Sequence, residues 1–183
     1  RPPSALRRKN SQAEAGVTLR LRYRPPYDWD SMLGFFAARA IPGVELVENG
    51  CYLRTVGIDG FTGSVQVSHL AARQSLCVTI RFPRVQSLPS IVGRVRRLFD
   101  LGADIETIDS HLSLDPQLAP LIARRPGLRA PGGWDGFELA VRAVLGQQVS
   151  VTAARGLARQ LVEAHGERVQ EQFAIDLRLT HVF

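Results

Sequence analysis

The pair Asn49-Gly50 constrains the fold of this chain more than any other feature, because it stands between two runs of strand-forming residues. Asn and Gly both accept the positive φ angles of the tight turn that joins two antiparallel strands. The pattern therefore predicts a β-hairpin made of one strand at 44–48 and a second at Cys51–Ile58. Asp59-Gly60 then ends the second strand with a turn of the same chemistry.

Three further segments have the composition of strands. At 17–24, apolar residues alternate with Thr and Arg, which is typical of a half-buried strand. Two more strands are predicted at about 63–69 and 75–82, and Asp28 is in position to cap a helix after the first strand. With hairpin connections between the strands, the fold class predicted is α+β, with a mainly antiparallel sheet of five strands.

The second half of the chain is predicted to be helical. Helices are predicted at about 89–100, 103–111 and 116–124. After a loop rich in Pro and Gly, Asp135 and Ser150 can cap two more helices. Their predicted apolar faces are Phe137, Ala140, Val141, Val144 and Leu145 on one, and Val151, Ala154, Leu157, Ala158 and Leu161 on the other. His165-Gly166 is typical of a left-handed helix end.

The turn between these last two helices, Gly146-Gln147-Gln148-Val149, is the most informative local feature. A helix that starts near Ser150 leaves the backbone N–H groups of Ser150, Val151 and Thr152 without acceptors, and such an end attracts a phosphate group. Two amide side chains just before it can reach base edges or fill a gap left by a displaced base. The alternative is an ordinary helix–helix turn that is polar because it is exposed.

Composition excludes several classes of protein. The formal net charge is +6, but four basic residues at positions 1–13, with no acidic residue among them, supply most of it. Charge therefore supports DNA binding only weakly. No apolar run approaches the length of a membrane helix, and no signal peptide, metal-ligand spacing or nucleotide loop is found. Cys51 and Cys77 are predicted to be buried free thiols in a cytoplasmic protein, and neither a metal nor another cofactor is predicted.

Several longer motifs resemble one family. The segment GWDGFELAVRAVLGQQVSVTAARGLARQLVEAHGE resembles the helical segment of the helix-hairpin-helix DNA glycosylases. Upstream, PPYDWDSMLGFFAARAIPGVE is similar to the amino-terminal domain of the AlkA-type 3-methyladenine DNA glycosylases. The connecting segments RVRRLFDLGAD and RRPGLRAPGGWDGFE are similar to the same family. The resemblance implies a curved antiparallel sheet like one half of the TATA-binding protein, followed by an incomplete all-α region. It also implies a bacterial base-excision repair hydrolase that flips alkylated bases out of duplex DNA and cleaves their glycosidic bonds.

The resemblance also implies a small set of site residues. Phe35 matches the position where the family places an aromatic ring at the edge of the base pocket, although helix packing explains it equally well. Gln147 and Gln148 match the loop that enters the minor groove opposite the flipped base, and Ser150 and Val151 follow at the phosphate-binding helix end. At Gln148 the best-known members have a leucine wedge, whereas this chain has an amide side chain that can hydrogen-bond to the unpaired base. Trp29 and Trp134 are predicted to be packing residues.

The resemblance implies that the family's helix-hairpin-helix and its catalytic aspartate lie further on in the sequence. No catalytic residue is therefore predicted, and the chain alone is expected to be inactive as a glycosylase. The predicted domains are a basic linker at 1–16, a sheet domain at 17–88, and the start of a helical glycosylase domain at 89–183, truncated. The expected partner is double-stranded DNA with alkylated bases, with no membrane and no small-molecule cofactor.

The start of the chain leaves a second class of function open. RPPSALRR resembles the end of an AraC-type regulator domain, which implies a parent in which a regulator of the Ada type precedes the glycosylase. One hypothesis is therefore an enzyme fragment whose active site is completed by further residues. The alternative is a non-catalytic DNA-binding or regulatory module of an Ada-type adaptive-response protein.

Overall fold

The structure is a computed structural model, and it describes residues 16–183. The predicted basic linker at 1–16 lies, apart from Gly16, outside the described residues. Within residues 16–183, no helix is both long enough and apolar enough to cross a membrane. The chain forms a five-stranded antiparallel sheet with helices, which confirms the predicted α+β class.

The sheet contains five strands in the order β1-β5-β4-β3-β2, and every neighbouring pair is antiparallel. The strands are β1 (Val17–Arg22), β2 (Glu45–Glu48), β3 (Cys51–Ile58), β4 (Phe61–Leu70) and β5 (Ser75–Arg81). Asn49 and Gly50 both have positive φ angles, as the hairpin prediction requires, and Glu48 faces Cys51 across the turn. The first strand pairs with the last, and β1 and β2 are the two edge strands of the sheet.

The two faces of the sheet differ in composition. Residues paired across neighbouring strands point to the same face, and one face, here called the inner face, carries the buried apolar side chains. Its fully buried members are Tyr52, Val56, Val65, Val67, Leu76, Val78 and Ile80. The other face, called the outer face, is built mainly from Ser, Thr, Cys, Gln and Arg.

Within residues 16–183, six α-helices follow the predicted order. They are α1 (Trp29–Arg39), α2 (Leu88–Leu98), α3 (Ile105–Leu112), α4 (Ala119–Arg124), α5 (Gly136–Leu145) and α6 (Val151–His165). The predicted caps are confirmed: the side chains of Asp28, Asp135 and Ser150 accept hydrogen bonds from backbone N–H groups in the first turns of α1, α5 and α6. Trp29 and Trp134 are buried in the main core, as predicted. The domain boundary at residue 88 stays a prediction.

The apolar faces predicted for α5 and α6 are wrong in part. Phe137 is 71% exposed and Val144 is 67% exposed, whereas Glu138 of the same helix is only 3% exposed. On α6, Leu157 and Leu161 are exposed, and Ala158 and Val162 are the buried residues. The reason is that the inward side of α5 faces buried charged groups of the sheet, described below, which a pattern of apolar spacing does not detect.

Residues 166–183 lie across the outer face of the sheet. The Ser64 hydroxyl contacts the Phe173 carbonyl and accepts a hydrogen bond from the N–H of Ile175 at 2.9 Å, and Arg81 donates to the Ala174 carbonyl at 2.9 Å. Gly166 is extended rather than left-handed, so the predicted left-handed helix end is wrong. A Cβ at Gly166 would lie only 2.5 Å from the Val182 carbonyl oxygen, so glycine is required there by close approach of the returning chain.

Cys51 and Cys77 are free thiols, as predicted, but they are half-buried rather than buried. Both residues pair with Ser68 of β4, from opposite sides. Two strand spacings, or about 9–10 Å, therefore separate them, and this exceeds the Cα distance of about 7 Å that a disulfide can bridge. The pairing register itself excludes a disulfide between them.

Candidate nucleic-acid interface

The turn between α5 and α6 is fully exposed. Residues 146–150 all have exposed side chains or backbone. Gln148 adopts the left-handed conformation, with φ of 57°, and this reverses the chain between the two helices. The side chains of Gln147 and Gln148 therefore stand on a protruding turn, with no side-chain hydrogen bond within the described residues.

The turn ends at the N-terminus of α6, a helix of 15 residues. The Ser150 hydroxyl accepts from the N–H of Ala153 at 3.2 Å, which satisfies one of the free donors. The N–H groups of Val151 and Thr152 have no acceptor within residues 16–183. Together with the partial positive charge of the helix end, these two donors can bind an oxygen of a phosphate group.

Two arginines fix this turn against the end of α1. Arg142 of α5 donates to the carbonyl of Arg39 at 3.0 Å, and Arg155 of α6 donates to the carbonyl of Ala40 at 2.8 Å. Cations suit the C-terminal end of a helix, where carbonyl groups lack partners. An apolar cluster of Ile41, Val44, Ala158 and Val162 adds packing between the same elements. Hydrogen bonds from both flanking helices, α5 and α6, thus hold the turn at the end of α1.

Phe35 lies on α1 and is half-buried. Its ring packs edge-on against Phe36, with centroids 5.7 Å apart, and the Arg39 guanidinium lies over the ring at 3.9 Å. The ring also lines a cavity of about 460 Å³ together with Trp134 and Leu139. The ring therefore packs within α1 and also borders an open space.

Arg39 and Arg142 link the predicted site residues. Both line the cavity beside Phe35, and both also line a second cavity of about 200 Å³ that Val151 borders. The structure thus brings Phe35 and Val151 to neighbouring cavities. Gln147, Gln148 and Ser150 line neither cavity and stand on the turn beside them. The functional roles predicted for these five residues stay predictions.

The floor of the Phe35 cavity is a buried network of four charged side chains. Arg54 donates to Glu138 at 2.7 Å and lies 3.7 Å from Glu45, and Arg142 contacts both carboxylates. The Tyr52 hydroxyl donates to Glu45 at 2.6 Å, and the Arg54 guanidinium lies over the Trp134 ring at 4.2 Å. Two positive and two negative groups balance, and they join β2 and β3 to α5 beneath the turn.

Sequence reasoning missed this network, although one signal for it is present. A two-residue turn at Asn49-Gly50 fixes the register of β2 and β3, and that register places Glu45 opposite Arg54. Two opposite charges on the inward face of a buried hairpin predict a buried ion pair. The partners on α5 could not be found in this way, because Glu138 is 84 residues from Arg54.

The network makes stability depend on pH. Burial opposes the ionisation of Glu138, but Arg54 and Arg142 outweigh that effect and lower the pKa of its carboxyl. A carboxyl whose pKa is lower in the folded state contributes stability above its unfolded pKa of about 4.3, and this contribution is lost as pH falls through the folded value. We therefore expect Glu138→Gln to lower the free energy of unfolding most at neutral pH. The difference in free energy of unfolding between the variant and the unmodified chain should become smaller below pH 4.

Urea unfolding at neutral pH and at two acidic values measures this gap. Glu163→Gln is the matched control, because Glu163 pairs with Arg159 on the exposed surface, where about half of each side chain is accessible. An exposed pair contributes at most about 1 kcal/mol. A gap for Glu138→Gln that stays constant from neutral to acidic pH would contradict the assignment.

Comparison with known proteins agrees with this architecture. A solved structure, the 3-methyladenine DNA-glycosylase from Archaeoglobus fulgidus, is similar with a TM-score of 0.71 and 21% sequence identity, over 83% of this chain and 52% of that chain. At that identity the likeness defines the fold alone, which this chain shares with about half of that chain.

The family follows from the sequence itself. A model of the AlkA N-terminal domain family matches residues 18–135, so the chain belongs to that family. It is 39% identical over its whole length to a "Probable bifunctional transcriptional activator/DNA repair enzyme AlkA" of Mycobacterium tuberculosis, of which it covers 36%. It is 37% identical to the DNA-3-methyladenine glycosylase 2 of Escherichia coli, over 82% of this chain and 51% of that protein. The chain thus spans 36% and 51% of the lengths of these two relatives.

Proposed function

We propose that this chain is the DNA-gripping part of a DNA-repair glycosylase that removes alkylated bases from duplex DNA. The observation that carries the proposal is the exposed α5–α6 turn, with two free backbone donors at the start of α6, clamped beside the cavity that Phe35 lines. The names of the relatives supply the reaction class and the substrate class.

In this proposal the turn and the cavity have separate tasks. The N–H groups of Val151 and Thr152 bind a backbone phosphate, which positions the duplex without reading its sequence. Gln147 and Gln148 enter the minor groove and hydrogen-bond to the base left without its partner. Phe35 then borders the space that receives the flipped base, where an aromatic face suits a cationic alkylated base. The reacting carboxylate is supplied by residues beyond this chain.

A binding experiment on the turn tests this division. We expect the double variant Gln147→Ala/Gln148→Gly to lose affinity for a duplex with one unpaired base by about fivefold or more, the equivalent of one net hydrogen bond of about 1 kcal/mol. Glycine at 148 accepts the left-handed backbone conformation and removes the whole side chain, including its amide. Fluorescence anisotropy of labelled duplexes measures the change.

The matched control removes two amides elsewhere. Gln170→Ala/Gln172→Ala changes two exposed glutamines in the segment after α6, and it is expected to leave the affinity unchanged. The proposed role of the turn would be contradicted if the two double variants lost equal affinity for the duplex. It would also be contradicted if the unmodified chain and the turn variant each bound paired and unpaired duplexes equally well.

The alternative of a regulatory module has one observation in its favour. The Mycobacterium tuberculosis relative is named as both a transcriptional activator and a repair enzyme. We propose that the parent of this chain combines the same two parts. Sequencing the parent gene on both sides separates the hypotheses: a glycosylase requires a Gly-containing hairpin and an aspartate downstream, whereas a purely regulatory module requires neither.

A further inference from the structure

The outer face of the sheet near β1 is a basic surface with no function assigned above. Arg20 and Arg22 are exposed on this face, and Arg73 is exposed in the short turn before β5. None of the three makes an ion pair or a side-chain hydrogen bond within residues 16–183. The residues that β1, β5 and β4 contribute to this face are Thr, Arg, Ser, Cys, Gln and Leu, and none of these strand residues is a carboxylate. Three unneutralised guanidinium groups thus share one polar surface.

These side chains border a shared open cavity. Arg20, Arg22 and Arg73 line a cavity of about 560 Å³ together with Thr18, Leu19 and Ser75. Arg20 and Arg22 are two positions apart on one strand, so their Cα atoms are separated by about 6.7 Å, with both side chains on the same face. Arginine supplies several donors in a fixed plane and is suited to bidentate contact with phosphate oxygens.

Ser75 supplies an independent observation. The residue is only 2% exposed, it lines the same cavity, and its hydroxyl has no hydrogen-bond partner within the described residues. A buried hydroxyl without a partner costs free energy, so native proteins rarely retain one without a reason. A bound oxyanion beside the three arginines would accept the hydrogen bond that Ser75 lacks.

We propose that this cavity is a phosphate-binding site, which takes phosphate groups either from a nucleic-acid backbone or from a free phosphate compound. The site is separate from the α5–α6 turn. β1 forms one edge of the sheet and β2 the other, and α6 packs near the β2 edge through Val44. A nucleic acid bound here would therefore be held by a second surface, on the opposite edge of the sheet from the turn.

Calorimetric titration of the 183-residue chain tests the site, with pyrophosphate and a short undamaged duplex as the two probes. We expect Arg20→Gln/Arg22→Gln to weaken pyrophosphate binding by about tenfold or more, since two charge-assisted donors are lost. Arg96→Gln/Arg97→Gln is the matched control, with the same change of charge at two exposed arginines of α2. If the control weakens binding equally, or neither variant does, the proposal fails.

Ser75→Ala separates a binding role from a structural one. We expect it to weaken pyrophosphate binding without lowering the thermal midpoint of unfolding, because the hydroxyl removed has no partner in the protein. Unchanged pyrophosphate affinity in this variant would overturn the role of Ser75 and with it the built site.

The duplex arm identifies the source of the phosphate. A loss of duplex affinity in Arg20→Gln/Arg22→Gln, with a salt dependence reduced by about two counterions, assigns the site to a nucleic-acid backbone. If this variant loses affinity for pyrophosphate but not for the duplex, the site is assigned to a free phosphate compound. Neither result depends on Gln147 or Gln148, so failure of this site and failure of the proposed turn are distinguishable.

Discussion

Replacing Arg54 with methionine is expected to destabilise the chain by about 3–5 kcal/mol, because it removes one of the two cations of a buried network and leaves Arg142 alone to balance two carboxylates. Arg54 is only 1% exposed, and its guanidinium contacts Glu138, the Tyr52 hydroxyl and the Thr55 carbonyl. Methionine keeps a long apolar side chain beneath Trp134 and removes only the charge and the donors. Equilibrium unfolding in urea measures the loss.

Two further variants show whether charge is the cause. Arg96→Met removes an exposed arginine and is expected to change stability by less than about 0.5 kcal/mol. Arg54→Met/Glu138→Met removes one cation and one carboxylate, and we expect it to be more stable than Arg54→Met alone, because Arg142 then balances Glu45 with no excess negative charge. A loss below about 1 kcal/mol in Arg54→Met would contradict a buried, compensated network.

The network also explains how the fold positions the candidate site. Glu138 lies three residues after the cap of α5, and its two arginine partners come from the sheet and from α5 itself. Hydrogen bonds of charged groups depend strongly on direction, so the network favours one orientation of α5 over the sheet. The turn at 146–150 continues directly from that helix. The network therefore sets the orientation of the exposed glutamines through α5.

Local sequence signals predicted the elements of this fold well. Asn49-Gly50 and the alternation at 17–24 identified strands, and Asp28, Asp135 and Ser150 were found as caps. Each of these signals operates within a few residues, where backbone sterics and single hydrogen bonds decide the outcome. The pairing of β1 with β5 is not a local property, because Val17 pairs with Ile80, which is 63 positions away in the sequence.

The candidate site was less predictable than the fold, for a physical reason. Phe35, Gln147 and Gln148 came from a resemblance, whereas the arginines that position them were not found. Arg142 and Arg155 act on carbonyl groups of α1 more than 100 residues away, at distances that only the folded chain defines. The buried side of α5 was assigned to apolar residues, although a satisfied Glu138 occupies it. A buried charge with partners distant in sequence breaks the pattern from which burial is predicted.

Replacing Phe99 with alanine is expected to cost about 3–5 kcal/mol, since it opens a cavity at the centre of the aromatic core. Phe99 is fully buried just after α2, and its ring lies between 5.2 and 5.6 Å from the rings of Trp29, Phe36 and Tyr52. These contacts join α2 to α1 and to β3. Phe99→Leu keeps most of the volume and is expected to lose about 1–2 kcal/mol.

Phe137→Ala is the matched control for this prediction, because it removes the same side chain from a position that is 71% exposed. We expect a change of less than about 0.5 kcal/mol there. Urea unfolding of the three variants would contradict the assignment of the core if Phe99→Ala and Phe137→Ala had equal effects.

Phe99 packs against Phe36, the neighbour of Phe35, so a loosened core should also disturb the Phe35 cavity. Binding of a duplex with one unpaired base should therefore weaken in Phe99→Leu and persist in Phe137→Ala, which links the packing of α1 to the proposed base pocket.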